Sequence, residues 1–488
     1  MVDDRRSPEG EGQSPHFGRR NFLRWGGIVG AGALAGCPGQ EELPGREGDP
    51  GRTSEGVQVP DPRWFDYFVD SIDGLTGILE EISPGESVFL RPGRYETSEG
   101  IVIDTDDVTI TGGHYQSTNL VNESTPIIRV VDAHRVRLSG LNLTGNHTNS
   151  SDLLSFETSD GITYRHFVHD LRIGESRGNG LYLEQVHDST FQQLEIFAVG
   201  NDSDKKPTWN LKVDAGEPYA RANSFIDCRF ERSAYDETGG LISLDGLHQS
   251  QFISSKFHAP QQRPSVPLLD VRDCRRSSFA ACNFYAGWPD EPARSVVRDP
   301  GGYPTRYVNC VFWGEGDTVL EVGNNKIIAG NGFYHFNDAA VQHASSSSDR
   351  NIIVNNYIEG GGGSTAIRLG SESNKNVVTN NNFVVESPPA MTSISDNTVA
   401  NNVGLVTRRD GQVTLPSDSR SVTVDVDISL ELDDDVDLQI TPTHNWLRSE
   451  ASKFAVESVD STAGKFTIRV DSSPGQDVAF NWSIDLGH

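Results

Sequence analysis

Across residues 85–405 one short pattern recurs: an apolar residue, two positions, a small or polar residue, one position, a second apolar residue. It appears as Phe225/Cys228/Phe230, Phe252/Ser255/Phe257, Phe279/Cys282/Phe284 and Tyr307/Cys310/Phe312. It continues as Ile328/Asn331/Phe333, Ile353/Asn356/Ile358 and Val378/Asn381/Phe383. The last member advances by 27, 27, 28, 21, 25 and 25 residues. A second apolar run falls midway in most repeats, at 241–244, 268–271, 319–322 and 366–369. Earlier stretches at 108–110, 136–138 and 191–197 fit more loosely. Self-similarity at this period predicts short strands joined by polar turns, one unit stacked many times. Stacking turns equal positions into ladders. Phe230, Phe257, Phe284, Phe312 and Phe333 are expected to form an inward aromatic stack. Asn331, Asn356 and Asn381 are expected to form an asparagine ladder at a tight turn. Asparagine tolerates left-handed backbone there, and its amide can bond the next coil.

The pattern changes at both ends. Residues 66–82 carry apolar positions at helical spacing (Phe68, Ile72, Leu75, Ile78, Leu79, Ile82), and Pro84-Gly85 ends them. This predicts a helical cap on the first coil, whose open edge needs a cover. Past residue 405 the runs at 422–432 and 465–470 alternate with period two and are separated by turn signals. They predict a small antiparallel β-domain over 406–488. Trp446 and Trp482 in it can stack on sugar rings or fill its core.

Charge narrows the partners. The chain has 69 acids against 41 Lys and Arg, a formal charge of -28. Removing residues 1–36 takes five Arg and four acids, leaving 36 - 65 = -29. An acidic, Lys-poor surface stays hydrated in high salt. It argues against nucleic acid, which needs a basic patch, and against binding anionic lipid by charge. The cysteines lack metal-site spacing. Cys282 and Cys310 fall on adjacent coils, so a disulfide or two buried thiols both fit.

Residues 1–36 have a charged start, a short apolar run from Trp25 to Ala35 and a small-residue cleavage site. Arg19-Arg20 followed by Phe22-Leu23 resembles a twin-arginine signal. Leu34-Ala35-Gly36-Cys37 resembles a lipobox, which implies a lipid on Cys37. Residues 37–60 then read as a flexible tether. The resemblance implies the extracellular face of the cytoplasmic membrane, with membrane contact only through the lipid.

The repeat over roughly 85–405 resembles the pectin lyase-like superfamily of right-handed parallel β-helices, and the β-helix is expected to span 61–405. The resemblance implies an all-β fold and a polysaccharide or cell-surface glycan as partner. It also implies two chemistries: paired carboxylates for hydrolysis, or a basic residue beside a carboxylate neutralised by Ca²⁺ or Arg for elimination. The acidic pairs plus Gly-His-Gly of polygalacturonases are absent from the sequence. Between 164 and 214 the chain gathers Arg165, His166, His169, Asp170, Glu175 and Arg177, then a long connection with Asp202, Asp204, Lys205 and Lys206, then Trp209. Here Asp170, Glu175, Arg177 and Lys206 are catalytic candidates. Asp202 and Asp204 are Ca²⁺ candidates, and Trp209, Lys205 and His169 are substrate contacts. A solvated, salt-adapted loop has the same composition. A second group holds Asp236, Glu237, Asp245, His248, Asp270 and Arg272. The competing reading is a non-catalytic glycan binder, an adhesin or a tailspike-like shaft. Oligomeric state is not legible.

Overall fold

The computed structural model describes residues 62–485 except 124–125, 146–150, 160, 200–207, 232–239, 260–266, 288–294, 315–316, 361–364, 385–396, 404–407, 427–436, 443–453 and 461–464. The repeat folds as a right-handed parallel β-helix. Among the described residues, each coil adds one strand to an 11-stranded parallel sheet. It also adds one long bent strand, or two short ones, to a 23-stranded sheet. A third sheet of four two-residue strands lines one corner: Thr163–Tyr164, Val186–His187, Ala220–Arg221 and Leu247–His248.

Two corners of a coil are each turned by one residue with left-handed backbone. One column runs from Gly140 and Asp170 through Asn309 to Asn401, at φ between 53° and 68°. The ladder residue follows directly. Asn331, Asn356, Asn381 and Asn402 accept from backbone N–H groups of the preceding coil at 2.8 to 3.0 Å. Their amides donate to carbonyls at 2.9 Å, so every buried polar atom of the turn is satisfied. Cys228, Ser255, Cys282 and Cys310 extend this ladder. Cys228, Cys282 and Cys310 are buried free thiols, as is Cys274 off the ladder. Of the two readings for Cys282 and Cys310, the structure has the thiols.

The expected aromatic stack is present. Neighbouring rings from Phe230 to Phe333 lie 4.4 to 5.4 Å apart. A second stack, Phe191, Phe225, Phe252, Phe279 and Tyr307, runs beside it at 4.4 to 5.1 Å. Each buried Phe stabilises the fold by about 1.5–3 kcal/mol.

The N-terminal cap differs in detail from the expected helix. Tyr67–Val69 is a strand paired with Ser87–Leu90, and the helix is only Ile72–Leu79. Ser71 is the reason: its side chain caps the helix by accepting from Gly74 N at 3.2 Å. The β-prone Tyr67-Phe68-Val69 is left to extend the sheet. At the other end two three-stranded antiparallel sheets face each other. Phe466 and Trp482 meet edge to face at 5.6 Å, and Phe454 meets Phe480 at 5.5 Å. Trp482 shares a strand face with the buried Phe480 and Ile484 and, half-buried, packs against the core of this sandwich. Trp446 lies outside the described residues.

Candidate active site

Of the first sequence group, the described residues do not come together at one point. Asp170 is a left-handed corner residue at φ 53°, and Glu175 is another at φ 63°. They sit at different points of one strand, Phe167–Ser176, roughly 16 Å apart along it. Glu175 and Arg177 are exposed. His169 is half-buried beside Phe167, its ring 4.9 Å away, and burial lowers its pKa. Trp209 is 3 % exposed. Its ring packs so tightly on Gly240 that a Cβ there would sit 2.0 Å from it. Trp209 is therefore a core side chain with no face free for a sugar. Asp202, Asp204, Lys205 and Lys206 lie outside the described residues, as do Arg19, Arg20 and Cys37.

The second group does assemble, with partners that sequence reading missed. The 11-stranded sheet stacks coil on coil in strict register. Asp214 pairs with Asp245, and Asp245 with Asp273 across a bulge. Glu157 and Glu184 hold the same position on the two preceding coils. Five carboxylates thus form one column, with strands about 4.8 Å apart. Asp236 and Glu237 are outside the described residues.

The column is electrostatically uneven. Asp214 is ion-paired with Lys212 at 2.9 Å. Asp273 meets Arg275 at 3.3 Å, and Asp270 meets Arg272 at 3.1 Å. The Asp245 carboxyl makes no hydrogen bond or ion pair among the described residues. Burial raises its pKa, and Asp214, Asp273 and Asp270 add to the rise against Arg272. Two adjacent carboxyls therefore differ in setting: Asp214 is ion-paired with Lys212, while burial raises the pKa of Asp245.

Gly246 turns the chain just after Asp245 at φ 79°, where a Cβ would strike the Ala215 carbonyl oxygen at 2.1 Å. The turn leads to the short third sheet and a second column. There Tyr164, His187, Arg221 and His248 stand in register on successive coils, and Arg275 and Pro304 continue the line. The longer connection of one coil lays Tyr219 over the next. Its ring is 4.1 Å from His248 and 5.1 Å from the Arg275 guanidinium. Arg275 also sits 4.0 Å above Tyr303. The result is a cleft of ≈ 900 Å³ that takes in Arg221, Arg275 and Arg276 against one acid, Glu217. Arg221 and Arg276 have no ion-pair partner among the described residues and are exposed. A concentration of guanidinium groups stands out in a chain of charge -28.

Other protonation states in the cleft follow from its surroundings. His187 Nε2 donates to the Tyr219 carbonyl oxygen at 2.6 Å. Burial lowers the pKa of both His187 and His248, so both stay neutral near pH 7. Tyr219 donates to Glu217 at 2.9 Å, which raises its pKa and keeps its proton. Such a cleft can bind an anionic group through Arg221 and Arg276, and the Gly246 turn connects it in sequence to the strand that carries Asp245. Among the described residues no cluster of His, Cys, Asp and Glu is arranged to hold a metal ion.

No family model and no curated protein matches the chain. Among solved structures it is similar to the Dettilon tailspike protein gp208 at 12 % identity, over 85 % of this chain and 90 % of that one, with TM-score 0.46. It is similar to DFA-IIIase from Arthrobacter chlorophenolicus A6 in complex with GF2 at 11 % identity, over 64 % and 93 %, with TM-score 0.48. It is also similar to alginate lyase from Paenibacillus sp. str. FPU-7 at 13 % identity, over 63 % and 98 %, with TM-score 0.41.

Proposed function

We propose that this chain is a glycoside hydrolase acting on an acidic polysaccharide. The observation that carries the reading is the register pair Asp214 and Asp245, adjacent carboxyls of which one is ion-paired with Lys212 and the other has its pKa raised by burial. Double displacement calls for carboxyls about 5–5.5 Å apart, and the backbones of neighbouring strands lie about 4.8 Å apart. Protonated Asp245 gives its proton to the glycosidic oxygen as that bond breaks. Asp214 bonds to the anomeric carbon. Water, deprotonated by Asp245, then displaces Asp214 and restores both groups. Arg221 and Arg276 hold a carboxylate or sulfate of a flanking sugar.

The cleft also favours a second reading, β-elimination. Arg221 and Arg276 would neutralise a uronate carboxylate, neutral His248 would take the α-proton, and Tyr219 would protonate the leaving oxygen. One experiment separates the two. The exported chain is incubated with acidic polysaccharides in high salt. New reducing ends and new ultraviolet-absorbing unsaturated ends are then followed. Hydrolysis predicts reducing ends without unsaturation and a loss of about 100-fold or more in Asp245→Asn and Asp214→Asn. Arg221→Ala should raise KM with little change in kcat. Unsaturated ends lost in His248→Ala and Tyr219→Phe would replace hydrolysis by elimination. Glycan retention without cleavage would leave a binding protein.

The address belongs to the same proposal. Twin-arginine export and a lipid on Cys37 would display the β-helix on the outer face of the membrane. Cys37→Ser should release the chain into the medium, and Arg19→Lys with Arg20→Lys should keep it inside the cell.

A further inference from the structure

Cations recur at a regular interval along the corner that carries the short third sheet. On five successive coils one residue of left-handed backbone turns this corner, at φ between 50° and 59°, and its N–H bonds the next coil. Three arginines here are exposed and make no ion pair among the described residues: Arg165 on the first coil, Arg221 on the third and Arg276 on the fifth. The second coil carries exposed Asp188 beside His187, and the fourth carries exposed Gln249 beside His248. Coils are about 4.8 Å apart, so the three arginines are rooted about 9.6 Å from one another. The fold does not ask for arginine at these places. Arg165 and Arg276 have φ of 59° and 58°, where asparagine is tolerated better than arginine. Asn325 fills the equivalent position of a later coil at φ 63°. On the preceding coil Arg135 stands in the same column but is held by Asp106 and Asp107 at 3.2 and 2.6 Å. Arg165 has no such partner among the described residues.

We propose that this corner binds an extended polysaccharide with an anionic group on every second sugar, laid parallel to the axis of the β-helix. An extended pyranose residue is about as long as one coil is thick, so alternate sugars meet alternate coils. Anions over the first, third and fifth coils meet Arg165, Arg221 and Arg276. An anion over the second coil meets Asp188, and like charge repels it. The sugar in between is therefore neutral, and the Gln249 amide on the fourth coil suits a hydroxyl or acetamido group of such a sugar. The cleft that holds Arg221 and Arg276 runs the same way, from Ile162 on the first coil to Tyr303 beyond the fifth. The inference rests on the reading of an acidic polysaccharide as ligand, but it needs no cleavage.

The test is calorimetric binding to the exported chain carrying Asp245→Asn, so that no probe is consumed. The probes are hexasaccharides of hyaluronan (one carboxylate per two sugars), κ-carrageenan (one sulfate per two sugars), polygalacturonate (one carboxylate per sugar) and chitin (no anion). At least one alternating probe should bind tenfold or more tighter than the polygalacturonate and chitin probes, and which one does so tells carboxylate from sulfate. The three arginines span about 19 Å, or about five sugars. A disaccharide of the favoured polymer should therefore bind at least tenfold more weakly than its hexasaccharide. Arg165→Asn, Arg221→Gln and Arg276→Asn should each weaken binding at least threefold with no fall in melting temperature. Arg94→Gln, on the long sheet outside the corner, should leave binding unchanged. Asp188→Asn should bring the polygalacturonate probe closer to the alternating one. Equal or tighter binding of polygalacturonate would overturn the inference, as would affinity indifferent to Arg165→Asn. Alternating probes that bind but are never cut by the unsubstituted chain would leave this inference standing and remove the hydrolase. Cleavage of acidic polymers with no regard to anion spacing would do the reverse.

Discussion

At the scale of single residues, His166 and Lys326 occupy the same ladder position on different coils and meet burial in opposite ways. His166 is 1 % exposed, and neither ring nitrogen has a partner. Burial, helped by nearby His134, pushes its pKa down to about 3, and burial takes His343 to about 4. Above pH 6.5 these histidines are neutral whether folded or not and contribute no pH dependence. Below it the unfolded chain takes up protons that the folded one refuses. Stability should therefore fall as pH drops from about 6.5 toward 4, by about 1.4 kcal/mol per pH unit for each histidine. His166→Leu should remove its share, so denaturant midpoints at pH 7.5 and pH 5 should lie closer together than in the parent. Lys326, by contrast, is fully buried but satisfied. Its ammonium reaches Asp299 at 2.6 Å and the Tyr303 carbonyl at 2.9 Å, and Tyr307 donates to Asp299 at 3.1 Å. Lys326→Met alone leaves a buried carboxylate unpaired and should cost about 3–5 kcal/mol. Lys326→Met with Asp299→Leu should recover most of it, as read by urea unfolding.

At the scale of elements, the ladders explain what the sequence displays and what it conceals. The first ladder was legible because three coils use the same residue, asparagine, 25 residues apart, and the structure adds Asn402 to them. Asn356 makes four hydrogen bonds, to backbone and side chains on both neighbouring coils. Asn356→Ala should cost about 1–3 kcal/mol for each buried group left unpaired. Asn356→Ser should cost less, since Ser255 fills the equivalent place with its hydroxyl. Thermal unfolding of the two variants checks the order. The second ladder was concealed because its residues change type: His166, Ser189, Asn223, Ser250, Lys326, Asn351. Only the shared hydrogen-bond pattern unites them. The carboxylate column was concealed for another reason. An acid closes the midway strand in Leu154–Glu157, Trp209–Asp214 and Gly240–Asp245. Coil lengths vary, however, and adjacency appears only once the coils are counted. Asp170 and Glu175 drew attention as acids in a cluster, but their positive φ shows that corner geometry placed them.

At the scale of the whole molecule, the stacking that builds the core also stacks charge. Like charges on adjacent strands destabilise a sheet, and Glu157, Glu184, Asp214, Asp245 and Asp273 are such neighbours on five coils. The screening length is about 10 Å at 0.1 M salt, longer than the spacing of two coils, and about 3 Å at 1 M, shorter than one. The melting temperature should therefore climb between 0.1 and 1 M KCl. Glu184→Gln keeps the acceptor for Thr158 N–H and removes one charge from the column. It should raise stability in low salt and change it little in high salt. The same repulsion bears on the proposed hydrolysis. Asp245 must carry its proton to act as an acid, so activity should fall as pH rises through its pKa. Part of that elevated pKa comes from Asp214, Asp273 and Asp270. High salt, or Asp273→Asn, weakens this part and should move the alkaline limb of the pH–rate profile to lower pH. A limb that ignores both would mean that burial alone sets the acid, or that the acid is another residue. The two are told apart by whether Asp245→Asn abolishes the limb together with the activity.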